Sequence, residues 1–333
     1  MRVFLTGING FLGSHVAIKL AKAGHKVVGL VRNDFRKDVL SKIPIEYCQG
    51  DLRNDDSYIK EIKSCEVVIH TAALTQFGIY DKKKAFTVNT DSTKKLLLNS
   101  LNNGIKRFIY VSTRGTLNVA KKPSNSSEED GYKNKKDMDI YFLSKFLAEK
   151  EVIRYSLKSK MNCIVLSPTA MIGKYDYRPS AIGQILLSYF KGKIKVYMDG
   201  GINIIDVEDV ASVCVQSLKK GKNGEVYILG NKNILLYDLF KNISSIHPVK
   251  LPQIKLPYFV SYITAFLIEV MSRILKIDPF TTRKKVFSLY NNFSFCSSKK
   301  SKKEFQIENK ELSETLNATV DWFCKKHDIS RIK

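Results

Sequence analysis

The sequence predicts an α/β protein with a doubly wound parallel sheet and a smaller mixed α/β lobe toward the C-terminus. Two observations support this prediction. The chain opens on an apolar strand, a glycine turn and a helix, and apolar strands then alternate with helical patterns as far as residue 230. Small residues follow several of these strands, which is typical of an open sheet that binds a ligand at its carboxyl edge.

Composition excludes several classes of protein. With 333 residues, 44% of them hydrophobic, the chain can bury a large core, which excludes a disordered protein. The six cysteines form no CxxC pair and have no histidine at metal-ligand spacing, so we expect reduced thiols, no metal site and a cytoplasmic location. The first residues also lack the pattern of a secretion signal.

The formal net charge of +23 raises the question of a nucleic-acid or anionic-membrane partner. Most of the excess is lysine spread over separate runs, rather than arginine interleaved with aromatic residues. We therefore expect a solvated basic surface and no nucleic-acid partner.

The first strand and helix frame a glycine turn. Val3–Leu5 is apolar, Gly7, Gly10 and Gly13 follow, and an apolar helical pattern continues to Gly24. Glycines permit a tight turn and let the backbone approach a pyrophosphate, which then meets the positive end of the helix. A plain strand-to-helix turn has the same spacing, but its place at the start of an alternating pattern favours a Rossmann-type dinucleotide site.

The second strand, Lys26–Val31, ends without the carboxylate that often binds the adenosine ribose of NAD. Here Arg32, with Arg36 or Lys37, is expected to pair with the extra phosphate of NADP. Asp34 is the alternative ribose ligand, and a lysine-rich chain also places cations here without any function. We predict NADP as the cofactor, with NAD as the alternative.

Two further strand ends carry residues suited to a cofactor crevice. Asp51 and Leu52 follow a short strand, and Thr71, Ala72 and Ala73 follow another. Small side chains let a ligand lie against the strand ends. Asp51 has an alternative role as a cap for the helix that follows it.

A set of motifs runs in a fixed order through residues 1–230. It comprises TGxxGxxG at 6–13, GDL at 50–52, HTAA at 70–73, NTDST at 89–93, YVST at 110–113, YFLSK at 141–145 and SPT at 167–169. In this order the motifs resemble the extended short-chain dehydrogenases/reductases of the NAD-dependent epimerase/dehydratase superfamily. Within that family they are most similar to the branch of dihydroflavonol reductases, 3β-hydroxysteroid dehydrogenases and hopanoid-associated epimerases.

The resemblance implies which residues hold the nicotinamide cofactor. The glycine turn is expected to hold the pyrophosphate, Asp51 and Leu52 the adenine, Ala72 and Ala73 the middle of the cofactor, and Pro168 the nicotinamide. With the two arginines above, the predicted cofactor-binding set is Gly7, Asn9, Gly10, Phe11, Leu12, Gly13, Arg32, Arg36, Asp51, Leu52, Thr71, Ala72, Ala73, Asn89, Tyr141, Lys145 and Pro168.

The acid/base pair is predicted at Tyr141 and Lys145. The pattern YxxxK starts at five tyrosines, but only Tyr141 is followed by the Ser-Lys-x-x-Ala-Glu pattern and preceded by a strand that ends in Ser-Thr. Residues four apart share a helix face, so the ammonium is expected to lower the pKa of the phenol from its ordinary value of about 10. Tyr141 then serves as general base toward an alcohol and general acid toward a ketone. By resemblance, Lys145 also bonds the nicotinamide ribose.

Two residues after the fifth strand complete the predicted active site. Thr113 stands where the family usually carries a serine that hydrogen-bonds the substrate oxygen, with Ser112 as the alternative. Arg114 departs from the family, where a small residue is usual. It is expected either to project toward the active site or to lie on the surface.

The substrate lobe is interleaved with the cofactor domain. We assign residues 1–168 and a return segment of about 204–230 to the cofactor domain, and residues 169–203 and 231–333 to the substrate lobe. Ile202 and Ser167 replace an arginine and an asparagine that are common in sugar-nucleotide epimerases. Both departures argue against a nucleotide-sugar substrate, with Arg178 or Arg283 as the alternative ligands for a diphosphate.

An amphipathic helix is predicted over residues 257–276. Its apolar stripe is expected to form a wall or lid over an apolar substrate, or simply core. A peripheral membrane contact is the alternative, while Glu269 and Arg273 disfavour a transmembrane span.

Together these features predict an enzyme that interconverts a secondary alcohol and a ketone on a small to mid-sized, fairly apolar molecule. An epimerase or dehydratase that uses the same tyrosine is the first alternative. A non-catalytic sensor is the second, although such proteins typically lose the tyrosine or the lysine. By resemblance, the helices over 82–103 and 137–158 are expected to form a homodimer.

Overall fold

The computed structural model describes residues 1–32, 37–75, 82–119, 124–275, 279, 283, 286 and 293–329. Of the predicted residues, Arg36 lies outside the described residues, as does the alternative ribose ligand Asp34. Lys37 is described only for its backbone.

Seven parallel strands form the main sheet. They are β1 (Arg2–Thr6), β2 (Lys26–Val31), β3 (Ile45–Gln49), β4 (Val67–His70), β5 (Arg107–Val111), β6 (Asn162–Pro168) and β10 (Val226–Leu229), in the spatial order β3-β2-β1-β4-β5-β6-β10. The strand order reverses between β1 and β4, and a ligand crevice opens at such a point outside the carboxyl ends. The predicted doubly wound parallel sheet is confirmed.

Helices cover both faces of this sheet. They are α1 (Phe11–Lys22), α2 (Lys37–Leu40), α3 (Ile59–Lys63), α4 (Lys82–Phe86), α5 (Ser92–Asn102), α6 (Ile140–Lys158) and α8 (Val207–Gln216). Apolar residues of α1 and α8 form one buried cluster with the sheet, and those of α3, α5 and α6 form another on the opposite face. A π-helical turn, Thr87–Asp91, joins α4 to α5.

A second, smaller sheet lies beyond β6. Its strands are β7 (Ala170–Ile172), β9 (Gly201–Asp206), β11 (Lys232–Leu235) and β13 (Phe293–Ser294), and β8 (Val196–Tyr197) pairs separately with β12 (Ile254–Lys255). The accompanying helices are α7 (Ala181–Phe190), α9 (Leu236–Ser244), α10 (Tyr258–Leu275), α11 (Lys299–Phe305) and α12 (Leu312–His327). The predicted boundary at 203/204 therefore falls inside β9, and the division into two domains stays a prediction.

The second lobe has a core of its own. Leu186 and Phe190 of α7, Phe240 of α9 and Phe323 of α12 are all buried in one apolar cluster. Ile172 of β7 and Ile204 of β9 belong to the same cluster, so this core holds β7 against β9. The segment after Pro168 is therefore fixed relative to the carboxyl edge of the main sheet.

Helix α10 has the predicted amphipathic pattern, but its apolar face points to solvent instead of the core. Its buried residues are the small ones, Ser261, Ala265 and Ser272, while the apolar stripe, including Phe259 and Ile274, is exposed. The expectation that this stripe forms core is wrong, because the narrow face of the helix is the one that packs inward. Within the described residues, α10 is the one helix long and apolar enough to cross a membrane by length and composition.

Candidate active site

The glycine turn brings α1 unusually close to the end of β1. A Cβ on Gly13 would lie 2.0 Å from the carbonyl oxygen of Gly7. Gly7 itself has φ +74°, and a Cβ there would lie 2.7 Å from the backbone nitrogen of Ala72. Both positions therefore require glycine, and the turn leaves a smooth concave backbone between β1 and β4.

The start of α1 is suited to an anion. Its N-cap is Gly10, which supplies no side-chain hydrogen bond, and the first turn contains no acidic residue. The free N–H groups and the positive helix end remain available to a phosphate. Phe11 is partly exposed and Leu12 is buried in the cluster below. The residues of this turn thus fit the pyrophosphate of a dinucleotide.

Three charged residues lie at the carboxyl ends of β2 and β3. Asp51 accepts hydrogen bonds from the guanidinium of Arg53, with a 2.7 Å ion pair between Asp51 Oδ2 and Arg53 Nη2. Arg53 lowers the pKa of the Asp51 carboxyl, and Arg32 adds a smaller contribution in the same direction. The predicted Arg32 is exposed in this group. The Asp51 carboxylate also accepts from the backbone N–H of Arg53 at 2.9 Å, and the backbone N–H of Asp51 donates to Ser57 Oγ, so the Asp51 side chain closes a local turn and does not cap the helix that follows.

A chain of buried hydrogen bonds joins the ends of β1 and β4 to the π-helical turn. Thr6 Oγ1 lies 2.6 Å from His70 Nδ1, and His70 Nε2 lies 2.9 Å from Thr93 Oγ1, which donates to the carbonyl of Asn89. Thr6 Oγ1 accepts from the N–H of Ala72. Burial lowers the pKa of His70 to about 3, so the imidazole is neutral and acts as a relay of hydrogen bonds.

Asn89 ties the loop after β4 to α6. Its Oδ1 accepts from the N–H of Leu74 at 2.7 Å, and its Nδ2 donates to the carbonyl of Leu74 and to Ser144 Oγ. The predicted cofactor residues Thr71, Ala72 and Ala73 lie just before this link and are partly exposed at the crevice. Asn89 is itself buried, so it shapes the crevice from behind.

Tyr141 and Lys145 lie one turn apart near the start of α6. Tyr141 is partly exposed, whereas Lys145 is buried. The ammonium of Lys145 donates to the carbonyl of Val111 at 2.7 Å and lies 4.2 Å from the ring centre of Tyr110. Among the described residues, no hydrogen bond links it to Tyr141. Burial lowers the pKa of Lys145 to about 7, and Glu149 opposes that shift.

The pKa of Tyr141 moves in the direction opposite to the expected one. Desolvation of the phenol raises it above the ordinary value, and the Asp139 carboxylate adds to the effect. Lys145 does not offset this rise, because its ammonium donates to the carbonyl of Val111. Tyr141 is therefore a protonated phenol at neutral pH, which is the form that donates a proton.

Thr113 and Ser112 have different surroundings. Ser112 is buried and donates to Glu149 Oε2 at 2.5 Å, so its hydroxyl is already engaged. Thr113 is partly exposed, and its Oγ1 accepts from the N–H of Gly115 at 3.2 Å, which leaves its own proton available. The geometry thus favours Thr113 over Ser112 as the group that can donate toward the crevice.

Arg114 follows neither of the two expectations. It is buried, and its guanidinium donates to the carbonyls of Leu117 and Asn118 and to Ser126 Oγ. The expected positions in the active site or on the surface are both wrong, because carbonyl groups of its own loop satisfy the charge inside the protein. Arg114 fixes the loop after Thr113.

Pro168 is buried at the end of β6, beside Leu229 of β10. The predicted residues from β1, β4, β5, β6 and α6 thus converge on one edge of the sheet. The remaining predicted residue of the turn, Asn9, is partly exposed beside Gly10.

Comparison with known proteins identifies the family. The family model described as "NAD dependent epimerase/dehydratase family" matches residues 3–230. The chain belongs to this family. It is an enzyme of the extended short-chain dehydrogenase/reductase type that uses a nicotinamide dinucleotide, and the predicted resemblance is confirmed.

Relatives include a putative dihydroflavonol 4-reductase of Synechocystis, 27% identical over 96% of this chain and 94% of the relative. Sterol demethylase protein B of Methylococcus capsulatus is 24% identical over 77% and 78%. The crystal structure of gox2253 matches with a TM-score of 0.87 and 31% identity over 99% of both chains. A UDP-glucose 4-epimerase of Thermotoga maritima, 21% identical with a TM-score of 0.76 over 98% and 99%, shares the fold.

Glu149 is the site residue that sequence reasoning missed. It is completely buried, and its carboxylate accepts from Ser112, Thr116 and Tyr132, the last at 2.7 Å. Burial raises its pKa, while these hydroxyls and Lys145 oppose the shift. The signal was present in the spacing, because Tyr141, Lys145 and Glu149 follow one another at intervals of four on one helix face.

We predict that Glu149→Gln lowers the pKa of Lys145 further. The carboxylate favours the charged ammonium, so its removal leaves burial to act alone and the ammonium loses its proton at a lower pH. The pH-dependence of turnover should shift toward lower pH, and an NMR titration of the Lys145 side chain should shift with it. Glu151→Gln, two residues along α6 and paired with Arg154, is the control and should leave both titrations unchanged. Identical titrations for wild type and Glu149→Gln would contradict the assignment.

Proposed function

We propose that the protein is an NAD(P)-dependent reductase that interconverts a ketone and a secondary alcohol. The observation that supports this proposal best is the pairing of a partly exposed Tyr141 with a buried Lys145, four residues apart on α6, at the edge where β4, β5 and β6 end. A phenol that keeps its proton at neutral pH is a suitable acid for an oxygen that gains negative charge. The full-length similarity to a putative reductase supports the same direction.

The protein residues have distinct roles in this proposal. The bound nicotinamide supplies the hydride. Tyr141 donates its proton to the carbonyl oxygen as the alcohol forms, and in the reverse direction its phenolate takes that proton back. Thr113 donates a hydrogen bond to the same oxygen, which stabilises its developing charge. Lys145 holds the nicotinamide ribose.

The proposed substrate is small to mid-sized and fairly apolar. Ile202 lies in β9, paired with Ile234, and offers no cation at the position where sugar-nucleotide epimerases commonly carry arginine. Ser167 is buried in β6, and within the described part of the chain its hydroxyl has no hydrogen-bond partner. Residues 169–203 and 231–333 form the substrate lobe in this proposal, and residues 1–168 with 204–230 bind the cofactor. Six buried, unpaired cysteines agree with a cytoplasmic location.

A cofactor assay separates the reductase from the epimerase alternative. The purified protein is denatured, any released nicotinamide dinucleotide is measured, and the emptied protein is titrated with NADPH and NADH. Release of one equivalent of tightly held NAD would support an epimerase, because such an enzyme regenerates its cofactor in each cycle. Exchangeable binding with net oxidation of NADPH by ketones supports the reductase.

Replacement of Tyr141 by phenylalanine tests the proton donor. Tyr141→Phe removes the proton but little of the shape, so turnover should fall by roughly 10²–10⁴-fold while NADPH affinity changes little. The matched control is Tyr155→Phe, near the other end of α6, which should keep near wild-type turnover. Steady-state kinetics and a fluorescence titration with NADPH measure the two effects. Near wild-type turnover of Tyr141→Phe would contradict the role of Tyr141 as proton donor.

Replacement of Arg32 tests the proposed preference for NADP. Arg32→Ser removes a cation expected to pair with the extra phosphate, so the Kd for NADPH should rise at least about tenfold while the Kd for NADH stays similar. Arg154→Ser removes another exposed arginine from α6 and is the control. Equal losses for both cofactors would argue against a phosphate contact.

We also propose a homodimer through the outer faces of α5 and α6. These faces expose Leu98 and Leu157, the latter 80% accessible. Sedimentation velocity should give twice the 37.9 kDa mass of one chain, and Leu157→Glu should return it to that mass. A wild-type monomer at assay concentration would rule the dimer out.

A further inference from the structure

Helix α10 presents its large apolar side chains to solvent. Phe259, Ile263, Phe266, Leu267 and Ile274 are between 40% and 71% exposed. The buried face opposite them consists of small residues, so the helix packs inward without using its apolar area. A stripe of this size on one helix face marks a surface that contacts another apolar phase.

The acidic residue of α10 does not interrupt this surface. Glu269 accepts from the guanidinium and the backbone N–H of Arg283, at 2.9 and 2.7 Å, and its side chain is only 15% exposed. The guanidinium of Arg283 lies 4.9 Å from the ring centre of Phe266. The carboxylate is thus neutralised beside the helix, and the charge that remains exposed on α10 is the cation Arg273.

A basic and apolar ribbon adjoins the start of α10. In the β8–β12 pair, Val196 lies opposite Ile254, and both side chains are exposed. Lys193 and Lys195 are exposed beside them, and Lys255 is exposed in a 2.6 Å ion pair with Asp199. The N–H of Leu256, two residues before α10 begins, donates to the carbonyl oxygen of Tyr197 and ties this ribbon to the start of the helix. Lysines therefore lie next to the start of the apolar helix α10.

The charge of the surrounding chain has the same sign. Residues 245–290 contain seven lysines and arginines and two carboxylates; Arg283 is paired with Glu269 and Lys255 with Asp199, which leaves five other cations and one other carboxylate. Cations next to an exposed apolar helix complement the negative headgroups of an anionic bilayer. A second copy of the chain would instead bring two basic rims together, which disfavours an isologous contact on this face.

We propose that α10 docks the protein on an anionic lipid bilayer. The helix lies along the interface, its apolar stripe enters the headgroup region, and Lys193 and Lys195 contact the lipid phosphates. The 18 residues give the contact a length of about 27 Å. The proposal does not depend on the reaction assigned above, because none of these residues belongs to the active site.

Flotation with lipid vesicles tests the proposal on the full-length protein. The wild type should float with vesicles of phosphatidylcholine mixed with phosphatidylglycerol, less with phosphatidylcholine alone, and less again at high salt. The double variant Phe266→Glu, Leu267→Glu should lose at least about tenfold in vesicle affinity. The control Ser313→Glu, Asn317→Glu adds the same charge on the exposed face of α12 and should stay within about threefold of wild type.

Site-specific labelling locates the contact. All six native cysteines are buried, so Ile263→Cys on the stripe and Asn317→Cys on α12 can each carry an environment-sensitive dye. Emission from position 263 should shift to the blue when anionic vesicles are added, and emission from position 317 should not.

Several results would overturn the proposal. These are wild type that does not float, an α10 double variant that floats as well as wild type, and a control that loses as much affinity as the α10 variant. A lipid-free mass that falls on Phe266→Glu, Leu267→Glu would show instead that this face joins two copies of the chain. An unchanged circular dichroism spectrum and an unchanged melting temperature show that each variant is folded.

Discussion

The contact between α1 and the end of β1 is the constraint on which the cofactor crevice depends. Because no side chain fits between Gly13 and the carbonyl of Gly7, the helix can lie directly on the turn and point its free N–H groups at the strand ends. The same approach lets α1 pack with α8 and the sheet in a single apolar cluster. Substituting either glycine would force the helix away from β1 and would open the crevice and the core together.

Two networks of buried hydrogen bonds lie behind the crevice. His70 and Glu149 are both buried, and each is surrounded by hydroxyl groups that match its charge state. The neutral imidazole links β1, β4 and the π-helical turn, whereas the carboxylate links α6 to the loop after β5. Because such groups are costly to bury without partners, they hold the strand ends in one relative arrangement. The visible site is thus positioned by residues that do not face the crevice.

Local patterns in the sequence predicted the main sheet well. The bounds of β2 agree with the apolar run at Lys26–Val31, and the reading of the glycine turn agrees with the close contact at Gly13. The predictions that were wrong concern side chains whose contacts lie far along the chain or on a neighbouring loop. Periodicity locates the stripe of α10 but not the side that faces solvent, and nothing in the sequence shows that carbonyl groups would receive the charge of Arg114. Likewise, spacing places Lys145 near Tyr141 but does not show that its ammonium is bound to Val111.

The π-helical turn at Thr87–Asp91 restricts the number of residues that can join α4 to α5. A π turn holds one more residue than an α turn, and one residue corresponds to about 100° of helix rotation. Asn89 and Thr93 reach β4 and α6 from this turn and from the first residues of α5. Deletion of a single residue here would rotate one of them away from its partners even if every other residue were kept. Chain length at this point is therefore as restrictive as residue identity, and an insertion or deletion between α4 and α5 would mark a homologue with a differently built crevice.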